Sequence, residues 1–227
     1  MIVSINQPAY LPWLGYFERV ALSDLHVVLD HVQFEKNGFT NRNRIRTATG
    51  SAWLTVPVRT KGRFGDLAID RLEIDRGRDW RRKHWRSLHL NYARARHFDR
   101  YADYWQRVYD RSWIRLIDLL AETLEWTLEA FAVTTPLIRS SALPVRSAKD
   151  QLVLDICRHL DATSYLSGPL GREYLDAARF EAAGVELRFH DHRSPTYGQA
   201  YEGFERGLAA VDALFNLGPN AHELLAA

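Results

Sequence analysis

The stretch that decides the fold is IVSINQPAYLPWLGYFERVALSDLHVVLD, residues 2–30. It begins with the apolar run Ile2–Ile5, which an Asn-Gln-Pro turn signal ends, and this pattern is typical of a buried strand. Apolar residues then recur at helical spacing over Trp13–Leu22, and a second β-rich run follows at His26–Leu29. A strand, a helix and a strand this close together predict a parallel, right-handed βαβ unit.

The pattern changes over residues 31–133. Residues 31–78 are rich in Gly, Asn and Arg, and the strand-like pieces Ala52–Val58 and Leu67–Ile74 predict an antiparallel β insertion. Residues 79–133 are predicted to be helical, because three segments have apolar residues every 3.6 positions: Trp80–Leu90, Phe98–Tyr109 and Trp113–Phe131. The last segment carries a stripe of leucines that is typical of a core face.

Strand and helix patterns alternate again over residues 134–227. The predicted strands are Leu137–Arg139, Ser164–Leu166 and Val185–Phe189, and the predicted helices are Lys149–His159, capped near Ser147, Tyr174–Ala183 and 207–217. We therefore predict one α/β domain over residues 1–227, a Rossmann-like doubly wound parallel sheet with a β-rich insertion and a helical mid-section. Its parts are a first βαβ unit (1–30), the insertion (31–78), the helical segment (79–133) and a second βα half (134–227).

Composition excludes several classes of protein. The chain has 227 residues, of which 46% are hydrophobic and 26% charged, and these fractions are those of a globular protein rather than a disordered one. A net charge of +2 does not indicate nucleic acid as a partner. The apolar runs are too short for a membrane span, and no basic segment precedes Ile2, so we expect no signal peptide. The single cysteine, Cys157, suggests a reducing compartment and a buried, inert thiol, which favours the cytoplasm.

Polar side chains follow most of the predicted parallel strands. In such sheets ligands bind beyond the carboxyl ends of the strands, where the strand order reverses. The residues at these ends are Asn6, Gln7 and Tyr10, then Asp30 to Gln33, Ser140-Ser141, Ser167-Gly168 and His190 to His192. The first loop has no GxGxxG motif, but it leads into a helix N-terminus, where free N–H groups can hold an anion. The turn Ser167–Gly171 is a second candidate anion cradle, and a plain structural turn is the alternative.

An alternating row of basic and amide residues lies at Asn41–Arg46. If this row is extended, Arg42, Arg44 and Arg46 share one face, and Asn41 and Asn43 share the other. Arginines in a row suit phosphate or carboxylate binding, because each guanidinium is a planar bidentate donor. The alternative is a solvated edge whose charges prevent strand pairing.

Isolated histidines and the cysteine offer weaker signals. His84 is either an acid–base group or a structural helix residue. His190 and His192 resemble a metal-binding or base pair, but no third ligand stands at a standard spacing, and we predict no metal site. A nucleophilic Cys157 would need a histidine partner that spacing alone cannot identify.

Several of these stretches together resemble the WbqC-like family. The motifs are Ile5–Phe17, Ser23-Asp24, Asp30–Phe34, Asn41–Arg46, Trp53–Val58, Tyr165–Gly168 with Tyr174-Leu175, and Tyr197–Gln199 with Asp212, Leu214, Phe215, Asn216 and Gly218. The resemblance covers nearly the whole chain. It implies a bacterial biosynthetic protein, of O-antigen or natural-product assembly, that modifies an amino group with an acyl or aminoacyl unit.

A more distant similarity, at the level of the fold, links the first loop to nucleotidylyltransferases of the HIGH type. Their motif has two histidines around a glycine, and the equivalent register here reads Trp13-Leu14-Gly15-Tyr16. Because those histidines stabilise charge on transferring phosphates, their replacement argues against adenylyl transfer by that mechanism. An inherited nucleotide or pantetheine pocket is still compatible with the loop.

The resemblance leads us to expect a transferase that moves an acyl or aminoacyl group from an activated donor to an amine. The donor would be a coenzyme A thioester, a carrier-protein thioester or a nucleotide-activated unit. Candidate catalytic residues are Tyr10, Asp30 and His84. Candidate substrate-binding residues are Asn6, Gln7, Trp13, Tyr16, Gln33, Asn41, Arg42, Asn43, Arg44, Ser167, Gly168 and Tyr174.

The expected partners are a small-molecule substrate and an acyl-carrier protein, with neither a membrane nor nucleic acid expected. Two rival hypotheses are a nucleotidyltransferase-like enzyme and a non-catalytic protein that binds nucleotides or nucleic acid.

Overall fold

A parallel sheet forms the centre of the molecule. The computed structural model describes residues 1–60, 62 and 67–225. In chain order the strands are β1 (Ile2–Asn6), β2 (Leu25–Val28), β3 (Arg42–Thr47), β4 (Gly50–Thr55), β5 (Leu137–Arg139), β6 (Ser164–Ser167) and β7 (Glu186–Phe189). Five of them form the parallel sheet, in the order β5-β2-β1-β6-β7, while β3 and β4 form a separate antiparallel hairpin. The predicted Rossmann-like sheet is confirmed. The insertion does contain an antiparallel hairpin, but the partner of β4 is Arg42–Thr47 and not the predicted strand Leu67–Ile74.

Helices cover both faces of this sheet. They are α1 (Leu14–Ala21), α2 (Trp80–Tyr92), α3 (Phe98–Asp110), α4 (Leu116–Ala130), α5 (Lys149–His159), α6 (Ala177–Ala182) and α7 (Val211–Leu217). Short 3-10 helices occur at Ile69–Arg71, Ser140–Ala142, Pro169–Glu173 and Gly218–Leu225. None of the helices in the described part of the chain combines the length and the hydrophobicity that crossing a membrane requires.

Side-chain alternation along the strands divides the core into two. Val3 and Ile5 on β1 pack with residues of α5 and α6, such as Ile156 and Phe180. Residues of α1 to α4 and α7 form the other core, which includes Phe17 and the predicted leucine stripe of α4. Because each strand buries alternate side chains on opposite faces, two separate helical layers are needed to cover the sheet. The doubly wound arrangement is therefore confirmed.

The chain order places the reversal of direction between β1 and β6. From β1 the chain builds β2 and β5 on one side, and it then returns to build β6 and β7 on the other. Backbone hydrogen bonds hold the carboxyl ends in register, with Leu29 N donating to Asn6 O at 2.7 Å and His190 N donating to Ser167 O at 2.8 Å. The crevice between β1 and β6 is therefore the topological switch point.

The predicted strand at Leu67–Ile74 is wrong. This segment contains the 3-10 turn Ile69–Arg71 and makes only isolated bridges, such as that between Val58 and Ile74. Its N–H groups donate to separate partners: that of Ile69 to Val32 O, that of Asp70 to Asp30 O and that of Ile74 to Ile114 O. A ladder cannot form when successive backbone groups bind different segments.

Helix starts are the least accurate part of the sequence-based prediction. The helix predicted over Tyr174–Ala183 begins at Ala177, because the side chain of Asp176 accepts the N–H of Ala178 and caps the helix there. The helix predicted over 207–217 begins at Val211. Ser147 does not cap α5, since its hydroxyl donates to the Asp155 carboxylate at 2.7 Å. Cys157 is buried as predicted, and burial raises the pKa of its thiol to about 12.

Candidate functional site

Charged and polar side chains collect around the carboxyl end of the sheet at the switch point. We define the switch-point site by six residues on three elements: Glu18 and Arg19 on α1, Ser167 and Gly168 at the end of β6, and His190 and His192 after β7. Packing contacts connect them, because Glu18 meets both histidines and Arg19 lies on Gly168. The site therefore joins the first βαβ unit to the second half of the fold.

Arg19 is a buried cation whose guanidinium has no hydrogen-bonded anion among the described residues. Only 5% of the residue is exposed, and no described residue accepts a hydrogen bond from its guanidinium. A Cβ atom on Gly168 would lie 2.5 Å from Arg19 Nη1, so the guanidinium packs directly on the backbone that leaves β6. Burial lowers the pKa of Arg19, yet arginine stays charged at neutral pH. An unpaired buried charge is costly, and this geometry therefore favours an anionic ligand.

Glu18 binds two histidines through one carboxylate oxygen. Its Oε2 contacts His192 Nδ1 and lies 3.2 Å from His190 Nε2. His190 is only 7% exposed, and neither of its ring nitrogens makes a hydrogen bond with a described residue, because the approach to Glu18 is close but poorly aligned. A carboxylate beside an imidazole orients the ring, which is the arrangement of a general base.

Local sequence explains how the two histidines reach the same carboxylate. In extended backbone, alternate residues share a side, so His190 and His192 face inwards and Asp191 faces outwards. Asp191 is held there by Arg172, whose two terminal nitrogens donate to its carboxylate at 2.7 and 2.8 Å. A Cβ atom on Gly15 would lie 2.6 Å from the His192 ring, so the glycine leaves the space that the ring occupies.

A buried chain of hydrogen bonds fixes α1 against the sheet below this site. The Tyr16 hydroxyl donates to His26 Nε2 at 3.1 Å, and His26 Nδ1 donates to Ser4 Oγ at 2.8 Å. Ser4 in turn donates to Ser23 Oγ, which donates to Val20 O. Burial lowers the pKa of His26 to about 3, so the ring is neutral, as this chain requires. Tyr16, a predicted binding residue, is thus occupied in positioning α1.

The first loop contains both free and occupied side chains. Asn6 and Gln7 are half-buried, and no described residue makes a hydrogen bond with either side chain, so both are available to a ligand. Trp13 is half-buried and packs on Phe39, with ring centroids 5.1 Å apart. Tyr10 is fully buried in the larger core. The predicted roles of these residues stay predictions, and the geometry favours Asn6 and Gln7.

His84 and Tyr10 contact each other inside the core. The Tyr10 hydroxyl donates to His84 Nδ1 at 2.8 Å and accepts from Tyr109 at 2.6 Å. Burial lowers the pKa of His84 to about 4 and raises that of Tyr10. Both groups are therefore neutral at pH 7 and have core residues as hydrogen-bond partners. Their catalytic role stays a prediction, which this burial does not favour.

Asp30 lies at the carboxyl end of β2 and is fully buried. Its carboxylate accepts from Ser141 N and Ser141 Oγ, both at 2.8 Å, and from Ser140 Oγ at 3.1 Å. Ser140 also contacts His31 Nδ1 at 2.7 Å, while His31 Nε2 is buried without a hydrogen bond to a described residue. The predicted strand ends of β2 and β5 thus meet, and Asp30 joins them.

The predicted arginine row has mostly internal partners. Arg42, Arg44 and Arg46 share one face of β3, as the alternation predicts, because Asn43 and Ile45 are fully buried on the other. Arg44 donates to the carbonyl groups of residues 206 and 207, and Arg46 to those of residues 47, 50 and 202. Through these hydrogen bonds the two arginines connect residues 202–207, which follow β7 in the chain, to the hairpin.

Arg42 lines a separate cleft of about 310 Å³ beside the hairpin, together with Asn41, Phe34 and Arg78. Its guanidinium lies 4.4 Å from the Trp53 ring and donates to Asn37 O. The Asn41 side chain donates to Val56 O at 2.8 Å and so also closes the hairpin. The binding roles of these residues stay predictions.

Of the four remaining predicted binding residues, three lie at or near the switch-point site and one lies away from it. Ser167 and Gly168 belong to the switch-point site, where the Ser167 hydroxyl donates to Gly168 O at 3.2 Å. Tyr174 is 54% exposed; partial burial raises the pKa of its hydroxyl, and the nearby charge of Arg19 offsets part of that rise. Gln33 is exposed and lies away from this site, where its side-chain amide oxygen accepts a hydrogen bond from Leu67 N at 3.0 Å.

Sequence analysis missed Glu18 and Arg19. Both stand inside the first helix, where a Glu-Arg pair usually indicates a solvated face. The structure leaves no solvated face for the pair, because residues 14 to 20 are all buried, and nothing in the local sequence pattern indicates this. No residue spacing connects Glu18 to His190 and His192, which lie more than 170 positions away in the chain.

Comparison with known proteins agrees with the motifs. Residues 7–224 match the model of the WbqC-like protein family. The chain is also 35% identical, over 98% of its length and 96% of the relative's, to uncharacterized protein Rv1507c of Mycobacterium tuberculosis. No solved structure matches the chain significantly. The motif resemblance is thereby confirmed, and the chain belongs to the WbqC-like protein family.

Proposed function

We propose that this protein is a biosynthetic transferase, which moves an acyl or aminoacyl group from an activated, phosphate-bearing donor to an amine such as that of an amino sugar. The observation that carries the proposal is Arg19, a buried guanidinium at the switch point of a parallel sheet that donates no hydrogen bond to any described residue. Ligands of this fold class bind at that crevice, and arginine is the side chain best suited to bidentate phosphate binding. Family membership supports the acyl-transfer part of the proposal.

The site offers one group for each task in such a reaction. Arg19 and the backbone at Gly168 would hold a donor phosphate. Asn6 and Gln7, whose amides make no hydrogen bond with a described residue, would bind the acceptor or the donor's amide groups. The Glu18 cluster with His190 would accept the amine proton, because Tyr10, Asp30 and His84 all have buried partners.

Direct aminolysis of a thioester balances with these groups. The amine nitrogen attacks the carbonyl carbon of the donor, and its proton passes to the Glu18 cluster. The carbon–sulfur bond then breaks, and the departing thiolate takes up a proton from that cluster. The products are an amide and a free thiol, and no covalent enzyme intermediate is needed.

The test is a transfer assay with a panel of donors. Coenzyme A thioesters, carrier-protein thioesters and aminoacyl adenylates would each be incubated with amino sugars, and mass spectrometry would detect the acylated amine. With a productive pair, Arg19→Gln should lower kcat/KM by about 10- to 100-fold, since a charge-assisted hydrogen bond contributes about 1.5–3 kcal/mol.

The matched control is Arg179→Gln. Arg179 is exposed and pairs with Asp150 on the surface, so its loss should leave the rate unchanged. The proposal fails if no donor in the panel gives an acylated amine, or if Arg19→Gln transfers as fast as the wild type. The panel also identifies the activating group, because only one of the three donor classes should react well.

The same proposal places the protein in the cytoplasm. Its single cysteine is buried and reduced in the structure, which is compatible with that compartment. An acyl-carrier protein is the proposed macromolecular partner if the carrier-protein thioester is the donor that reacts.

A further inference from the structure

We infer that Glu18, His190 and His192 form a binding site for one divalent transition-metal ion, of which Zn²⁺ is the first to test. The three residues offer one carboxylate oxygen and two imidazole nitrogens, and these ligand atoms lie within 4.8 Å of one another. Two histidines with a glutamate are a common ligand set of catalytic zinc sites, and histidine pairs with a carboxylate also hold Fe²⁺.

The distances suit coordination. In a tetrahedral zinc site with bonds of 2.0–2.1 Å, neighbouring ligand atoms are about 3.4 Å apart. Nε2 of His190 already lies 3.2 Å from Oε2 of Glu18. His192 Nδ1 is in direct contact with the same oxygen. To bind a shared ion, this nitrogen and Glu18 Oε2 would separate by roughly 1 Å, which is less than one bond length.

The state of His190 is an independent indication of a ligand. More than nine-tenths of this residue is buried, and neither ring nitrogen makes a hydrogen bond with a described residue. Buried polar groups are nearly always satisfied, so an orphaned imidazole aimed at a carboxylate needs an explanation. A metal ion between Nε2 and Glu18 supplies the missing partner for that nitrogen.

The surroundings of the cluster also fit an ion. Asp191, the carboxylate between the two histidines in sequence, is turned outwards by Arg172 and does not compete for the ion. Three protein ligands leave a coordination position open, as catalytic sites require. With the ion bound, Glu18, His190 and His192 would serve as its ligands, and water at the open coordination position, rather than these side chains, would take the amine proton. Metal binding itself does not depend on the proposed transfer reaction.

Metal content and affinity test this inference directly. Full-length protein, stripped with a chelator, would be reloaded with Zn²⁺, desalted and analysed by mass spectrometry for metals. We expect about one Zn²⁺ per chain, with a Kd measurable by competition with a chromophoric chelator. Mg²⁺ in large excess should not displace it, because imidazole is a poor ligand for that cation.

Three variants should lose the ion, and two should keep it. Glu18→Gln, His190→Gln and His192→Gln should each weaken Zn²⁺ binding by at least about 100-fold, since even loss of a supporting partner costs 10–100-fold. Asp191→Asn lies in the same segment but outside the cluster, and His159→Gln removes an exposed histidine of α5; both should bind as the wild type does.

A second measurement covers the case in which a variant does not fold. Wild-type protein loaded with Co²⁺ should show the strong visible absorption of a four- or five-coordinate site with nitrogen ligands. Zinc below one-tenth of an equivalent in the wild type, the weak spectrum of octahedral aqueous Co²⁺, or unchanged affinity in a folded His190→Gln variant would each overturn the inference. Since the readout is metal binding, its failure is separate from failure of the transfer assay.

Discussion

Two neighbouring residues of α1, Glu18 and Arg19, determine the chemistry of the switch-point site. Both are buried, and their partners differ: the carboxylate has two histidines, whereas the guanidinium has no hydrogen-bonding partner among the described residues. A salt bridge between adjacent residues is not available in a helix, because positions i and i+1 point in different directions. Each therefore serves a different part of the site, Glu18 towards β7 and Arg19 towards β6.

His84 provides a prediction at the same scale. Burial lowers its pKa to about 4 in the folded protein, against about 6.5 in the unfolded chain. Between these values the unfolded chain binds more protons, so stability should fall as the pH falls from 6.5 to 4, by up to about 1.4 kcal/mol per pH unit from this group.

Urea unfolding at pH 7 and at pH 4.5 measures this effect. His84→Gln, which keeps a hydrogen-bond acceptor for Tyr10, should lose about 1–3 kcal/mol less stability than the wild type over this range. His159→Gln, an exposed histidine, serves as the control and should follow the wild type. If His84→Gln and the wild type lose the same stability, the ring is not held neutral by burial.

The loop between β1 and α1 shows how one element positions another. Leu11 has a positive φ of 47°, an uncommon conformation for a residue with a side chain. The side chain of Asn43 on β3 is fully buried, donates to Leu11 O and accepts from Arg44 N at 2.8 Å. The hairpin therefore holds the loop in this conformation and sets the start of α1.

Asn43→Ala tests this dependence of the loop on the hairpin. The variant leaves the carbonyl of Leu11 and the N–H of Arg44 without their partner, so we expect a loss of about 1–3 kcal/mol in the free energy of unfolding. Asn220→Ala, at an exposed position, should change it by less than about 0.5 kcal/mol. Equal effects of the two substitutions in urea unfolding would show that Asn43 does not support the loop.

The elements that the sequence predicts well are those with their own periodic pattern. The α5 helix matches its prediction at both ends, and α2 to α4 lie within three residues of theirs, because their apolar stripes define them locally. Leu67–Ile74 looked like a strand for the same local reason. It contains a 3-10 turn at Ile69–Arg71 instead, because its backbone N–H groups donate to several separate segments of the folded chain. Local alternation of apolar residues carries no information about these distant hydrogen-bond partners.

At the scale of the whole molecule, topology explains where the site lies. The order of strands along the sequence predicts that Asn6, Asp30, Ser140 and Ser167 meet at one edge of the sheet, and the structure places them there. The pairing of Glu18 with His190 could not be predicted from the sequence, because it requires β6 and β7 to pair beside β1 and so bring the end of β7 close to α1. Arg19 was missed since its burial depends on β6 packing against α1.

Ligand affinity at Arg19 tests the central claim most directly, namely that the crevice between β1 and β6 binds a phosphate-bearing ligand. Isothermal titration calorimetry would compare binding of coenzyme A, ATP and inorganic pyrophosphate to the wild type, Arg19→Gln and Arg179→Gln. At least one of the three ligands should bind the wild type, and Arg19→Gln should weaken that binding by about 10-fold or more while Arg179→Gln leaves it unchanged. Equal affinity in the wild type and Arg19→Gln, or no binding of any of the three ligands to the wild type, would contradict the account.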